Sequence, residues 1–263
     1  MRLDIYLVEK GICTSRERAK DLILKGRVRV KGLYASKPSF DVSQDDVVEF
    51  VTEDLLPYVS KGGLKLEKAI RAFEINFSDK LVLDMGASTG GFTDCALKHG
   101  AKFVWAVDVG TNQLDTSLKG NSQICSIENT DVRSLHLSQI GEKVDFVIGD
   151  LSFISLTHIL KIIPNFLKDD GFAILLIKPQ FEVGPENVGK GGIVKNPKQH
   201  IKVIKQICTN ASEFHLYLLR LTYAPIVDSK KNIEYLALFG RRNQNSFNIE
   251  EVVSSAFTEK KEF

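Results

Sequence analysis

Between residues 80 and 239 the chain offers seven short β-rich runs, and most are separated by stretches of helical spacing. The runs are Lys80–Met85, Phe103–Asp108, Gln123–Glu128, Asp145–Asp150, Phe172–Lys178, Tyr217–Tyr223 and Ile233–Phe239. Helical stretches fall near Gly91–His99, at Ser155–Leu167 with Pro164 bending it, and at Lys198–Asn210. Strands alternating with helices are the signature of a parallel, doubly wound sheet with helices on both faces. A Rossmann-like α/β domain is therefore expected from residue 63 to 263. A last helix, Ile249–Thr258, closes it behind a capping box, Asn248 to Glu251.

The first 56 residues follow a different pattern. Between Lys10 and Lys37 nine basic residues face only two acids, Glu17 and Asp21, whereas Asp41 to Asp54 holds six acids and no base. Arg2–Lys10 reads as a short helix, and a second opens with a capping box, Thr14 to Glu17. Ala19, Leu22 and Ile23 give that helix its apolar stripe, and Gly26 ends it. Arg27-Val28-Arg29-Val30-Lys31 then alternates with period two, sending three cations to one face and two valines to the core. A small α+β domain at 1–56 is expected, with Arg16, Arg18, Lys20, Arg27, Arg29 and Lys31 as candidate phosphate contacts. A charge run also serves as plain solvated surface. Residues 57–62, around Pro57 and Lys61-Gly62, read as the linker.

Composition narrows the setting. Hydrophobic residues make up 43% and charged residues 26%, values of an ordinary globular chain. The longest apolar run, Phe172–Ile177, is far short of the roughly 18–20 residues that cross a bilayer. The N-terminus has acids at Asp4 and Glu9 and no apolar signal core. Cys13, Cys95, Cys125 and Cys208 lie far apart without CxxC or Cys/His spacing, which argues against zinc and against a disulfide framework. The expectation is a cytoplasmic protein with no metal and no membrane partner.

The first strand of the larger domain runs into Asp84-Met85-Gly86-Ala87-Ser88-Thr89-Gly90-Gly91-Phe92. Glycines at a strand-to-helix turn let the backbone approach a ligand. The spacing Gly86-x-x-x-Gly90-Gly91 is not the G-x-G-x-x-G of a dinucleotide site. S-adenosylmethionine has no pyrophosphate to cradle, so it suits this variant. Asp108 ends the next strand, 24 residues after Asp84, where a carboxylate accepts from two ribose hydroxyls. Asp131, after the third strand, is placed to accept from an adenine amino group. Three acids after three successive strands point to a nucleoside-type cofactor.

Asp150 ends the fourth strand, where open α/β sheets bind ligands. Lys178 ends the fifth, directly after a buried run and before Pro179. An ammonium in that position needs a carboxylate partner. Glu234 opens the last strand, and Lys65 lies on the helix preceding the sheet. Methylating a hydroxyl requires its proton to leave as the methyl carbon arrives. A free lysine, with a pKa of about 10.4, is a poor base at neutral pH. Burial and a second ammonium bring it toward the useful range. Lys178 is the expected general base, oriented by Asp150 and Glu234 and tuned by Lys65.

Nearly the whole chain takes part in a resemblance. Arg2-Leu3-Asp4, Ser15-Arg16-Glu17 and Gly26-x-Val28-x-Val30-x-Gly32 resemble the small RNA-binding domain first recognised in ribosomal protein S4, with Lys31 where that motif often has Asn. The remainder resembles the FtsJ-type ribose 2′-O-methyltransferases. Tyr58-Val59-Ser60-Lys61-Gly62-Gly63-Leu64-Lys65-Leu66, Gly149-Asp150-Leu151-Ser152-Phe153-Ile154-Ser155-Leu156 and Lys178-Pro179-Gln180-Phe181-Glu182-Val183-Gly184 make the combination similar to the TlyA family, also described as haemolysins. The resemblance implies methylation of cytidine ribose in ribosomal RNA, of the large subunit and in some members the small one. It implies a Lys-Asp-Lys-Glu tetrad on Lys65, Asp150, Lys178 and Glu234. It implies cofactor contacts on Gly86 to Phe92, Asp108 and Asp131. Thr111-Asn112 replace a Tyr-Gly common after Asp108 in the family.

Two rival readings remain. Base N-methylation uses an Asn/Asp-Pro-Pro-aromatic motif, which Asp150-Leu151-Ser152-Phe153 matches only without its prolines. A membrane-active haemolysin would need a spanning or long amphipathic segment, which this sequence does not offer.

Overall fold

The structure, a computed structural model, describes residues 1–13, 15–24, 26–31, 33–35, 37–50, 57–226, 230–242 and 247–261. It divides into two compact units, Met1–Pro57 and Tyr58–Phe263.

The first unit holds helices α1 (Leu3–Glu9) and α2 (Arg16–Leu24) and strands β1 (Val28–Val30), β2 (Leu33–Tyr34) and β3 (Val48–Phe50). The strands form an antiparallel sheet in the order β2-β1-β3. Leu3, Leu7, Ala19, Ile23, Val28 and Val30 are buried together, as the stripe of α2 and the alternation of β1 require. The alternation stops one residue early: Lys31 turns at φ 52°, out of the strand, and its ammonium lies 2.9 Å from Asp46. Thr14, the expected N-cap, lies outside the described residues.

The second unit begins with α3 (Gly62–Phe73). There follow β4 (Leu81–Met85), α4 (Gly91–Lys98), β5 (Phe103–Val107), β6 (Ile124–Ile127), α5 (Leu137–Ile140) and β7 (Val144–Gly149). Next come α6 (Thr157–Leu160), α7 (Ile163–Phe166), β8 (Leu167–Ile177), α8 (Pro197–Ser212), β9 (Tyr217–Tyr223), β10 (Tyr235–Gly240) and α9 (Ile249–Lys261). The seven strands lie in the order β6-β5-β4-β7-β8-β10-β9. Alternate residues of each strand enter opposite cores. Val82, Val104, Ile148 and Leu176 pack with α3 and α4, whereas Leu83, Trp105, Val147 and Leu175 pack with α6 to α8.

Three features depart from the sequence reading. The sheet is mixed, because β10 runs antiparallel to both β8 and β9. The 11 residues between β9 and β10 are too few for the helical crossover that parallel neighbours need. The expected helix Ser155–Leu167 is two single turns, α6 and α7. Pro164 lacks an N–H, and its ring clashes with the carbonyl four residues back, so it starts a new turn instead of continuing the old one. Finally, residues 58–62, read as linker, are built into the second unit. Tyr58 is buried there, and the Val59 amide donates to Asp94 at 2.9 Å. A Cβ on Gly63 would fall 2.3 Å from the Tyr58 ring, so only glycine lets α3 approach it.

Candidate active site

At the sheet order's turning point, β4 has β5 on one side and β7 on the other, and ligands bind beyond the carboxyl ends of such strands. A cleft of about 1140 Å³ opens there, and every residue that lines it belongs to the second unit.

On one side stands the loop after β4. Gly86 and Gly90 turn at φ 81° and 89°, and the amides of Gly86 and Ala87 donate to the Val107 carbonyl at 2.8 and 3.0 Å. A Cβ on Gly91 would fall 2.2 Å from Ser60 Oγ, so only glycine fits there, between this loop and the start of α3. Asp108 fixes the loop, because its carboxylate accepts from the Ser88 amide at 2.8 Å and the Gly110 amide at 2.7 Å. Gly86, Ala87, Ser88, Thr89, Gly91, Phe92, Asp108 and Asp131 all line the cleft. The Arg133 guanidinium grips Asp131 at 3.0 Å and holds its carboxyl below the usual range.

Two expected cofactor contacts stand behind this wall. Gly90 packs under Leu114 and Leu118 and does not line the cleft. Asp84 is fully buried and accepts from Thr93 Oγ1 at 2.6 Å. Burial, and to a lesser degree the nearby Asp150 and Asp108 carboxylates, push its pKa up to about 7. A side chain near a strand's end points into the layer below as readily as into the cleft, and that of Asp84 takes the first course.

On the other side Lys65, Asp150, Lys178 and Glu234 come together. Lys65 Nζ lies 2.8 Å from Asp150 Oδ2 and 2.7 Å from Glu234 Oε2. Lys178 Nζ lies 2.7 Å from Asp150 Oδ1. Asp150 therefore bridges both lysines, whereas Glu234 touches Lys65 and not Lys178 as the sequence reading had it. The reversal of β10 makes this possible. Its first residue, Tyr235, pairs with Ile177, so Glu234 arrives at the same sheet edge as Lys178. Burial works to discharge Lys65, but the pull of Asp150 and Glu234 outweighs it and raises the pKa. Burial likewise works to protonate Asp150, and the two lysines overcome it and hold the pKa down. The Lys65 ammonium and the Asp150 carboxylate are thus both charged at neutral pH.

Sequence reasoning assigned no role to two further residues here. Ser152 Oγ accepts from Lys178 Nζ at 2.6 Å. Phe153, 91% exposed and on the cleft wall, turns at φ 61°, a conformation that strains a bulky residue. Its ring lies 5.2 Å from that of Phe181. Both lie inside a segment quoted for its resemblance, but only the backbone turn shows which way they face.

In the first unit Arg18, Lys20 and Arg27 are exposed. Arg16 donates to the buried Asp4 at 3.1 Å, opposite Arg2 at 2.9 Å, so it braces the fold as well as facing solvent. Arg29 is half-buried on β1, across from Glu49. Among the described residues no helix is long and apolar enough to cross a membrane.

Comparison with known proteins fits this geometry. The FtsJ-like methyltransferase model matches residues 58–241, and the S4 domain model matches residues 1–48. Hemolysin A of Brachyspira hyodysenteriae is 41% identical over 240 residues, covering 91% of this chain and 99% of its own. The 16S/23S rRNA (cytidine-2'-O)-methyltransferase TlyA of Mycobacterium tuberculosis is 39% identical over 234 residues, 89% of this chain and 87% of its own. A solved structure, "Putative hemolysin from Streptococcus thermophilus", superposes with a TM-score of 0.78 at 37% identity, covering 100% of this chain and 97% of that one.

Proposed function

The chain belongs to the FtsJ-like methyltransferase family, and on that premise we propose that it methylates the ribose 2′-hydroxyl of a cytidine in ribosomal RNA, using S-adenosylmethionine. The observation that carries the reading is the bridged cluster of Lys65, Asp150, Lys178 and Glu234 at one edge of the cleft. The cytidine and the ribosomal RNA come from the activity in the relative's name.

The cleft's other half fits the cofactor. Gly86 and Gly91 let the loop after β4 pack closely against Leu151 and Ser60 at the cleft wall, and Asp108 and Asp131 present carboxylates for the ribose and the adenine amine. When bound there, S-adenosylmethionine supplies a methyl carbon made electrophilic by its sulfonium. Everything else falls to the protein.

Lys178 has acceptors on two sides, Asp150 and Ser152. A neutral amine in that position donates both N–H bonds to them and keeps its lone pair for the 2′-hydroxyl proton. Lys65 stays an ammonium between Asp150 and Glu234, so Lys178 need not neutralise the shared carboxylate alone. Phe153 offers a bare aromatic face beside Lys178 on which the target base stacks once it leaves its neighbours. In the first unit, Arg18, Lys20 and Arg27 supply phosphate contacts, as an electrostatic grip on RNA requires.

The test is direct. Protein, ribosomal RNA or isolated subunits and methyl-tritiated S-adenosylmethionine are incubated, and the RNA is digested to nucleosides. Label in 2′-O-methylcytidine is expected. Label in a base-methylated nucleoside would move the protein to the rival N-methyltransferase reading, and no label in RNA would remove it from this class.

A further inference from the structure

Among the described residues the lining of the cleft holds more basic side chains than acidic ones. Its lining includes Lys61, Lys65, Arg133, Lys178, Lys230, Lys231 and Lys260, against Asp108, Asp131, Asp150 and Glu234. Three of the lysines, Lys230, Lys231 and Lys260, lie together on the side of Glu234.

Lys230 and Lys231 sit in the connection from β9 to β10, four and three residues before Glu234. Lys260 comes from the end of α9, and its ammonium donates to the Lys231 carbonyl. The end of α9 is held in place by Glu259, which accepts from Tyr223 Oη at 2.5 Å. Lys68 in turn lies 3.8 Å over the Tyr223 ring. The Lys260 ammonium is thus tied to the segment that carries Lys230 and Lys231, and all three lysines line one rim of the cleft.

That rim is remote from the cofactor side. Asp108 follows β5, and the rim precedes β10, four strand spacings away across the sheet. At about 4.8 Å per spacing the separation is roughly 19 Å. Cations so placed face the substrate half of the cleft, beside Glu234 and Lys178, where RNA would enter with a phosphate on each side of the target ribose.

Building on the RNA 2′-O-methylation reading above, we propose that Lys230, Lys231 and Lys260 form a phosphodiester-binding rim on the methyltransferase unit, which grips the backbone adjoining the target nucleotide. This grip is separate from that of the first unit. It holds the strand at the site of chemistry, so it acts on RNA binding and not on the cofactor.

The experiment compares the full-length protein with Lys230→Ala/Lys231→Ala and with the triple variant that adds Lys260→Gln. Glutamine keeps a donor for the Lys231 carbonyl and guards against fraying of α9. Initial rates of methyl transfer to ribosomal RNA are measured across 50–300 mM salt, and S-adenosylmethionine affinity by calorimetry. Removing three phosphate contacts on single-stranded RNA should cut the log–log salt slope by about 2. At 0.15 M salt that corresponds to a KM for RNA raised on the order of 30-fold, with kcat and cofactor affinity within 3-fold. A triple Lys→Arg variant should bind as the wild type does. An unchanged slope and KM would overturn the rim, and so would a loss of cofactor affinity matching the loss for RNA. Failure of the wild type itself to methylate RNA would instead strike the functional reading beneath it.

Discussion

Replacing Lys65 with methionine removes one charge and little volume, and its consequences follow from two distances. Lys65 Nζ contacts Asp150 at 2.8 Å and Glu234 at 2.7 Å, and the three side chains are 24%, 20% and 19% exposed. Breaking a fully buried ion pair by removing one partner costs about 3–5 kcal/mol, because the other charge is left unpaired. These groups keep a fifth of their surface in water, so about 2–3 kcal/mol is the better figure. Asp150 retains Lys178, and Glu234 bears most of the loss. For a chain of this size, that lowers Tm by roughly 5–10 °C.

The pH dependence has a definite sign. Lys65 is raised above its ordinary 10.5, so its contribution is present up to that value and fades as pH climbs through the raised one. Asp150 is lowered below its ordinary 3.8, so its contribution is present above that value and fades as pH falls through the lowered one. The deficit of Lys65→Met should be flat between about pH 5 and 10 and shrink below pH 4. Thermal unfolding across that range is the assay. The double variant Lys65→Met/Glu234→Gln removes the stranded carboxylate and should recover about 1 kcal/mol. A Tm for Lys65→Met equal to the wild type, or a double variant no more stable than the single one, refutes the reasoning.

Three further outcomes are expected. Lys178→Arg keeps a cation for Asp150 but cannot surrender its proton, so kcat should fall by about 10²–10⁴ with cofactor affinity retained, as read by single-turnover methyl transfer. Phe153→Ala should raise the KM for RNA by about 5- to 100-fold through lost stacking and leave cofactor affinity alone, in the same assay with calorimetry beside it. Asp84, with its pKa lifted to about 7, favours the folded state while protonated, and that contribution is lost as pH rises from about 4 through 7. Asp84→Asn keeps an acceptor for Thr93, so the Tm of the wild type should fall relative to this variant between pH 5 and 8.

Much of this was legible because strand ends are easy to count. Asp108, Asp150 and Lys178 each follow an apolar run, and an α/β sheet brings such ends to one edge. The direction of β10 was not legible. Its alternation is the same read either way, and only the short β9–β10 connection argues for reversal. That reversal delivers Glu234 to Lys65 and leaves Ser152 as the second acceptor for Lys178. Asp84 shows the limit of counting. It lies one residue before the end of β4, and an even–odd difference decides whether a carboxylate faces the cleft or Thr93. Phe153 depends on a positive φ, which sequence announces for glycine and conceals for phenylalanine. The lysine rim joins residues 230, 231 and 260 through tertiary packing alone, so no local pattern reveals it.

The account's central claim is that the clustered lysines and acids draw a proton from a sugar hydroxyl, and an RNA lacking only that hydroxyl tests it most directly. Once the modified position is mapped, a transcript carrying 2′-deoxycytidine there, and otherwise unaltered, is offered to the enzyme. Binding should persist within a few-fold while methyl transfer to that nucleotide vanishes. Transfer at an undiminished rate would put the methyl group on the base and contradict the claim.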